Sequence, residues 1–247
     1  QKFFSTLWRT LAISATLSVA PSLGIAAEHP LIEPQKGWIC LFDGQDTAAF
    51  VTVTQDGAPA DPKSWAVEDQ TLTRKGKAYL RTKEQFRDLV LDLEFKVGPP
   101  QGKRRTNSGI FLRHKPDPEL VQQKKKYWWN GLLEIQLFDS FGLEPDKHQC
   151  GALYDMIAPS KITNKPPGEW NRMTITAKGP RITILLNGEQ VLDANLNDWT
   201  ETGKNPDGTP NKYHKPMNWL ADQSGYIWLQ EHPGEIWFRS IWVKSLD

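Results

Sequence analysis

The stretch Asp88-Leu89-Val90-Leu91-Asp92-Leu93-Glu94-Phe95-Lys96-Val97 decides the fold class. Leu89, Leu91, Leu93, Phe95 and Val97 alternate with Asp88, Asp92, Glu94 and Lys96. This is the period of two of a half-buried strand, with an ordinary charged solvent face. Downstream, Ile182, Ile184 and Leu186 share one face of a strand over 181–187. Asn187-Gly188 then supplies the residue pair of a tight type I′ hairpin, so this strand pairs with one near Val191. Lys178-Gly179-Pro180 joins a strand over 173–177 to it, which makes a three-stranded meander. Further strands are expected over 37–42, 48–53, 64–67, 71–74, 108–114, 132–138, 226–231 and 235–244. No stretch holds helical periodicity over three turns. Short strands separated by turn signals predict an all-β antiparallel sandwich or jelly roll.

Three connections exceed what such a sandwich needs: 114–131, 141–168 and 195–224. Structureless segments of this length are usually functional or disordered. Trp128, Trp129, Trp199 and Trp219, with several Pro and Gly, predict ordered loops around a cleft. The run Lys124-Lys125-Lys126 reads as a solvated loop face.

Composition narrows the function classes. Of 247 residues, 30 Lys and Arg against 29 Asp and Glu leave a formal charge of +1, too little to drive binding to nucleic acid or anionic membrane. Two cysteines, Cys40 and Cys150, are too few for a disulfide framework or a four-thiolate zinc site, and their pairing stays open. The 11 Trp against 5 Tyr are a surplus of large flat rings, suited to a core and also to stacking on sugar faces. Residues 1–26 have the pattern of a secretory signal. Lys2 and Arg9 precede a short apolar run, and Gly24-Ile25-Ala26 is a small-x-small cleavage site. The apolar run is shorter than the ~20 residues of a membrane span, so export to the periplasm or beyond is expected in place of anchoring. Residues 27–36 are then a short linker and 37–246 a single domain.

Alternation also assigns faces to three strands. Ile110 and Leu112 oppose Asn107, Gly109, Phe111 and Arg113. Leu133, Ile135 and Leu137 oppose Glu134, Gln136 and Phe138, while Ile227 and Leu229 oppose Tyr226, Trp228, Gln230 and His232. Each strand has an aliphatic face for the core. Each second face mixes rings with carboxylate, amide, guanidinium or imidazole, as a concave carbohydrate site would.

An ordered set of elements carries a family resemblance. It runs Gly37-Trp38-Ile39-Cys40-Leu41-Phe42-Asp43-Gly44, Asn107-Ser108-Gly109-Ile110-Phe111-Leu112-Arg113, Glu134-Ile135-Gln136-Leu137 and Gly151-Ala152-Leu153-Tyr154. Ala158-Pro159, Gly168-Glu169-Trp170-Asn171, Asn187-Gly188, Leu229-Gln230-Glu231-His232 and Phe238-Arg239-Ser240-Ile241 follow. The set resembles the 3-keto-disaccharide hydrolase domain family across nearly the whole of 37–246. Cys40 stands where a small or apolar residue is more usual, and Glu231 where members often have Asp. The resemblance implies a concanavalin-like jelly roll, secreted, acting on glycosides whose sugar C3 is a ketone.

Such a ketone acidifies the C2 hydrogen. A base removes it, the C1 glycosidic oxygen leaves, and water adds to the enone. This chemistry needs a base, a proton donor and stabilisation of an enolate oxygen. Glu134 and His232 are the candidate catalytic pair, with acid and base left unassigned. Arg113, Gln136, Asn107, Phe111, Tyr154, Trp228 and Gln230 are candidate substrate contacts, and Asp139 and Glu169 further candidates. No cofactor is required. A divalent ion on Glu134, Asp139 and His232 matches no defined spacing, and calcium in the turn Asn205-Pro206-Asp207-Gly208 competes with a plain turn. Two rival functions stay open: a non-catalytic carbohydrate-binding module, and a two-carboxylate glycosidase. The latter wants a second carboxylate beside Glu134, where Gln136 and Phe138 stand.

Overall fold

The structure, a computed structural model, describes residues 36–116 and 132–247, all within the unit Ile32–Asp247. The signal at 1–26, nearly all of the linker, the lysine run at 124–126 and Trp128 and Trp129 lie outside the described residues. The described strands are β1 (Ile39–Phe42), β2 (Phe50–Val53), β3 (Trp65–Glu68), β4 (Thr71–Arg74), β5 (Tyr79–Thr82), β6 (Leu89–Val97) and β7 (Asn107–His114). They continue with β8 (Leu133–Phe138), β9 (Asn171–Lys178), β10 (Arg181–Leu186), β11 (Glu189–Asn195), β12 (Tyr226–Leu229) and β13 (Ile236–Ser245). Among the described residues the helical elements are three short 3₁₀ turns, at Pro62–Ser64, Leu196–Asp198 and Met217–Asp222.

All pairings are antiparallel. One sheet runs β11-β10-β9-β6-β13-β4-β3, with β1 also on β13; the other runs β2-β5-β12-β7-β8. The central strand β6 is the stretch quoted first. Its Leu89, Leu91, Leu93 and Phe95 are fully buried and meet Ile110, Leu112, Ile135, Leu137 and Leu229 of the facing sheet in one continuous core. Truncating such a side chain to alanine costs about 2–5 kcal/mol, so this alternation alone commits the chain to a sandwich. The hairpin at Asn187-Gly188 forms as expected, with φ of 54° and 84°, the left-handed values a type I′ turn requires.

Three features differ from the sequence reading. β5 was not expected, because Tyr79-Leu80-Arg81-Thr82 is too short an alternation to stand out. The second face of β6 is not a solvent face: Asp92 and Glu94 are buried under arginines of β9 and β13. Two strands also change parity part-way. In β13 a register irregularity between Arg239 and Trp242, with Ser240 at φ 51°, turns Phe238 and then Ile241 into the core. In β7 the corresponding irregularity falls at Arg113, with φ 55°. A bulge adds one residue to one strand and so exchanges the faces beyond it.

Candidate active site

The register of the five-stranded sheet sets the site. Glu134 of β8 lies opposite Phe111 of β7, Phe111 opposite Trp228 of β12, and Trp228 opposite Arg81 of β5. In the next row Gln136 lies opposite Gly109, whose carbonyl accepts a hydrogen bond from the main-chain N–H of Gln230 at 2.9 Å. The expected face is therefore real: Glu134, Gln136, Phe111, Trp228 and Gln230 all point away from the core. Phe111 and Trp228 do not form an open stacking platform, however. Both are fully buried with Val53, Tyr79 and Leu132 in a second apolar cluster on the face that carries Glu134.

Glu134 is itself buried, at 4% exposure. Gln230 Nε2 donates to its Oε1 at 3.0 Å and Lys212 Nζ to its Oε2 at 3.2 Å. Burial pushes its carboxyl above the ordinary range, and the ammonium of Lys212 is the largest of the influences that draw it back. Gly109 makes room for this arrangement. A Cβ there would lie 2.9 Å from Glu134 Oε1 and 3.2 Å from Gln230 Oε1.

The second and third long connections build the rest, as ordered segments. The 141–168 loop runs along β8: Gln136 N donates to Ala152 O, Gly151 N to Gln136 O and Tyr154 N to Glu134 O. The 195–224 loop brings Lys212 over the Tyr154 ring, 4.0 Å from its centroid, and Tyr213 Oη donates to Tyr154 O at 2.9 Å. His148 stands edge-on to Tyr154 with ring centroids 5.0 Å apart, and its nitrogens reach Asp146 at 2.7 Å and Asp155 at 3.2 Å. Burial raises the Tyr154 phenol, and the nearby Glu134, Asp155 and Asp146 charges raise it further, so it keeps its proton at neutral pH. Lys212, His148 and Asp155 carry no strand pattern, and the length of their loops was the one signal that pointed to them.

Around Gly109 several buried polar atoms have no hydrogen-bond partner: Asn107 Oδ1, Gln136 Oε1, Gln230 Oε1 and His232 Nδ1. Buried polar atoms are normally satisfied, so a set of them on one face has hydrogen-bonding capacity that water or a ligand can fill. Most are acceptors, which suits the hydroxyl donors of a sugar.

Other candidates sit elsewhere. The bulge turns Arg113 off the site face, correcting its expected alignment with Phe111. Its side chain is wholly buried and donates to the carbonyls of Arg87, Gly179, Leu220 and Ala221 and to Asp88 Oδ1, tying the sandwich end together. His114 takes the vacated position, its ring 4.9 Å from Trp228. His232 reaches Asn107 Nδ2 at 3.2 Å. By register its backbone lies two strands and four residues from that of Glu134, roughly 16 Å at ordinary strand spacings, and neither group is among the charges and hydrogen bonds that act on the other. Burial lowers the His232 pKa, against the opposing pull of Glu231, which favours a neutral imidazole. Asp139 is buried beside Arg105, 3.3 Å away, and away from Glu134. Glu169 is exposed in the turn before β9 of the other sheet.

Among the described residues no group of three or more His, Cys, Asp or Glu side chains is arranged to hold a metal ion. The turn at Asn205 is filled by protein donors: Asn205 Oδ1 accepts from Trp199 Nε1 and Asn211 Nδ2, and Asp207 Oδ1 from Thr209 N and Oγ1. Cys40 is exposed and Cys150 buried, both as free thiols, and burial pushes the Cys150 thiol up to about 12. No helix among the described residues is long and apolar enough to cross a membrane.

Comparison with known proteins gives the family and the fold. Residues 37–244 match the family of 3-keto-alpha-glucoside-1,2-lyase-like domains. The chain belongs to this family. A curated relative, the 3-keto-disaccharide hydrolase of Bacteroides thetaiotaomicron, is 26% identical over 85% of this chain and 79% of its own. A crystal structure from Parabacteroides distasonis, a glycosyl hydrolase by assignment, superposes with a TM-score of 0.69 at 30% identity. It covers 85% of this chain and 99% of the other. The family fold extends to SCLam, a non-specific endo-beta-1,3(4)-glucanase of family GH16. That structure has a TM-score of 0.50 at 11% identity over 85% of this chain and 91% of the other, a likeness of fold alone.

Proposed function

We propose that this chain cleaves the glycosidic bond of a 3-keto-glycoside or 3-keto-disaccharide, with Glu134 as the base. The observation that carries the reading is a buried carboxylate, raised by burial and held by one ammonium, on a sheet face lined with unpartnered acceptors. Membership of the family and the activity named for the Bacteroides relative give the substrate class.

In this reading Glu134 removes the C2 proton, and the electron pair passes to the C3 oxygen as an enolate. The enolate collapses to an enone as the C1–O bond breaks and its electrons leave with the glycosidic oxygen. Lys212, 3.2 Å from Glu134, supplies positive charge beside the developing enolate. Tyr154 keeps its proton and donates it to the leaving oxygen. Water then adds its oxygen at C1 and gives a proton back to the Tyr154 phenolate, Glu134 returns its proton to C2, and the sum is a hydrolysis. Asn107, Gln136 and Gln230 accept hydrogen bonds from ring hydroxyls, and the neutral His232, whose Nε2 accepts from Asn107 Nδ2, presents Nδ1 as a donor, so His232 becomes a binding residue. Phe111 and Trp228 fix the sheet face beside Glu134.

Turnover of a 3-keto-disaccharide beside its unoxidised parent tests this. Release from the oxidised sugar alone, falling about 10²- to 10⁴-fold in Glu134→Gln, is expected of a general base. Cleavage of the parent would indicate ordinary two-carboxylate chemistry. Binding of both sugars with no turnover would leave a carbohydrate-binding module.

A further inference from the structure

We propose that Asp155 is the positioning residue of this site, locking the two long loops together so that Lys212 and His148 both face Glu134. This role rests on the reading of Glu134 as base.

Asp155 touches neither Glu134 nor the sheet face, yet all its polar groups are engaged across the two loops. Its Oδ2 accepts the backbone N–H of Lys212 at 2.6 Å. Its Oδ1 accepts from Lys147 Nζ at 2.7 Å and lies 3.2 Å from His148 Nε2. Its backbone N–H donates to Lys147 O at 2.9 Å, and its carbonyl accepts from Asn205 Nδ2 at 3.3 Å. The 195–224 loop thus approaches the 141–168 loop through consecutive contacts, Lys212 at Asp155 and Tyr213 at Tyr154. An exposed ion pair would contribute little. Here the Asp155 side chain is only 13% exposed and one donor is a main-chain amide, so the carboxylate fixes a backbone position. It also holds φ at 62°, a left-handed conformation that Asp tolerates better than most residues.

The consequence is electrostatic. Groups that act on Glu134 or feel its charge are the Lys212 ammonium, the His148 imidazole and the phenols of Tyr154, Tyr213 and Tyr79. Lys212 and His148 are the two whose charge opposes the effect of burial on Glu134. Asp155 binds the backbone of one and the ring of the other. Releasing both leaves burial opposed only by the Gln230 hydrogen bond, and the Glu134 carboxyl rises.

Asp155→Asn is nearly isosteric and keeps one acceptor, so it separates position from bulk. Expected are a fall in kcat/KM of about 10²-fold, the scale of a misplaced catalytic group, and an acid limb of the pH–rate profile moved to higher pH. Lys212→Met is expected to move the limb in the same direction, and the double variant no further. A carboxyl titration of Glu134 by carbon-13 NMR reads the same shift without substrate. Asp155→Glu keeps the charge, is expected to recover part of the shift, and carries the test if Asp155→Asn does not fold. An unmoved Glu134 titration in the Asp155 variants, with a moved one in Lys212→Met, overturns the proposal. A moved titration in an enzyme that turns over no keto-sugar upholds the positioning role and removes Glu134 from the base role.

Discussion

Buried carboxylates occur on both sheets, and their surroundings differ. On the outer face of the eight-stranded sheet, Asp92 accepts Arg172 Nε at 3.0 Å and Thr174 Oγ1 at 2.6 Å, while Glu94 accepts Arg239 Nε at 2.7 Å. These residues lie on adjacent strands and close a ladder in which each carboxylate has a guanidinium. On the five-stranded sheet Glu134 has one ammonium and one amide, and Gln136 Oε1, Gln230 Oε1 and Asn107 Oδ1 around it have no partner. Burial alone therefore does not distinguish a site from a structural pair. The distinction lies in whether the polar groups are satisfied within the protein or left for something else.

Exchanging each carboxylate for its amide should break that comparison most sharply. Glu94→Gln leaves Arg239, which is 39% exposed, free to turn to solvent, so the expected loss is moderate, about 1–3 kcal/mol. Turnover should not change. Glu134→Gln should do the reverse, removing turnover while urea unfolding shows equal or greater stability, because burial disfavours the charged carboxyl and Lys212, 28% exposed, can turn to solvent. Equal stability losses in the two variants would make Glu134 a structural pair like the others.

The sequence made the faces readable and left the approach of the loops unreadable. Period two placed Glu134, Gln136, Phe111, Trp228 and Gln230 on one face because a strand has only two choices per residue. The same rule failed at Arg113, where one inserted residue exchanged faces and put His114 in its place. Nothing in local pattern marks that bulge, since Leu112-Arg113-His114 is unremarkable as a strand. It failed differently at Asp92 and Glu94, where two charges that alternate like a solvent face are buried by arginines 80 and 145 residues away in sequence. Lys212, His148 and Asp155 were missed because loop residues obey no period. Their contacts are long-range, and only the length of their connections was legible. His232 was paired with Glu134 on face parity, which says nothing about distance along or across a sheet.

His114 offers a smaller test of how the site face tolerates unmet polar groups. Its Nε2 has no partner, and burial, then the charge of Arg81, depresses its pKa from 6.5 to about 3. The unfolded chain therefore binds a proton that the native state refuses. Stability from this group is complete above pH 6.5 and is lost as pH falls toward about 3. His114→Phe, filling the space against Trp228, should flatten that limb of a plot of urea midpoint against pH. An unchanged limb would place the acid sensitivity in another group.

The smallest expected effect separates two glycines. A Cβ on Gly225 would lie 2.3 Å from the Arg113 carbonyl carbon and 2.7 Å from His114 N, both main chain. Main chain held by sheet pairing gives way less readily than a side-chain end, so Gly225→Ala should lower stability like other overpacking, by about 1–3 kcal/mol. A Cβ on Gly109 would instead meet the ends of two side chains, Glu134 Oε1 at 2.9 Å and Gln230 Oε1 at 3.2 Å. Gly109 does not have a left-handed φ, so no backbone strain is added. Gly109→Ala should then leave the unfolding midpoint almost unmoved, while the carboxylate shifts by a few tenths of an ångström and kcat falls about tenfold, since misplacement by 1 Å can cost about 10²-fold. Loss of stability without loss of kcat would mean that the sheet, and not the Glu134 carboxylate, yields to the new methyl group. Glu134 would then be fixed as firmly as Glu94, and the contrast between the two faces would rest on the unpartnered amides alone.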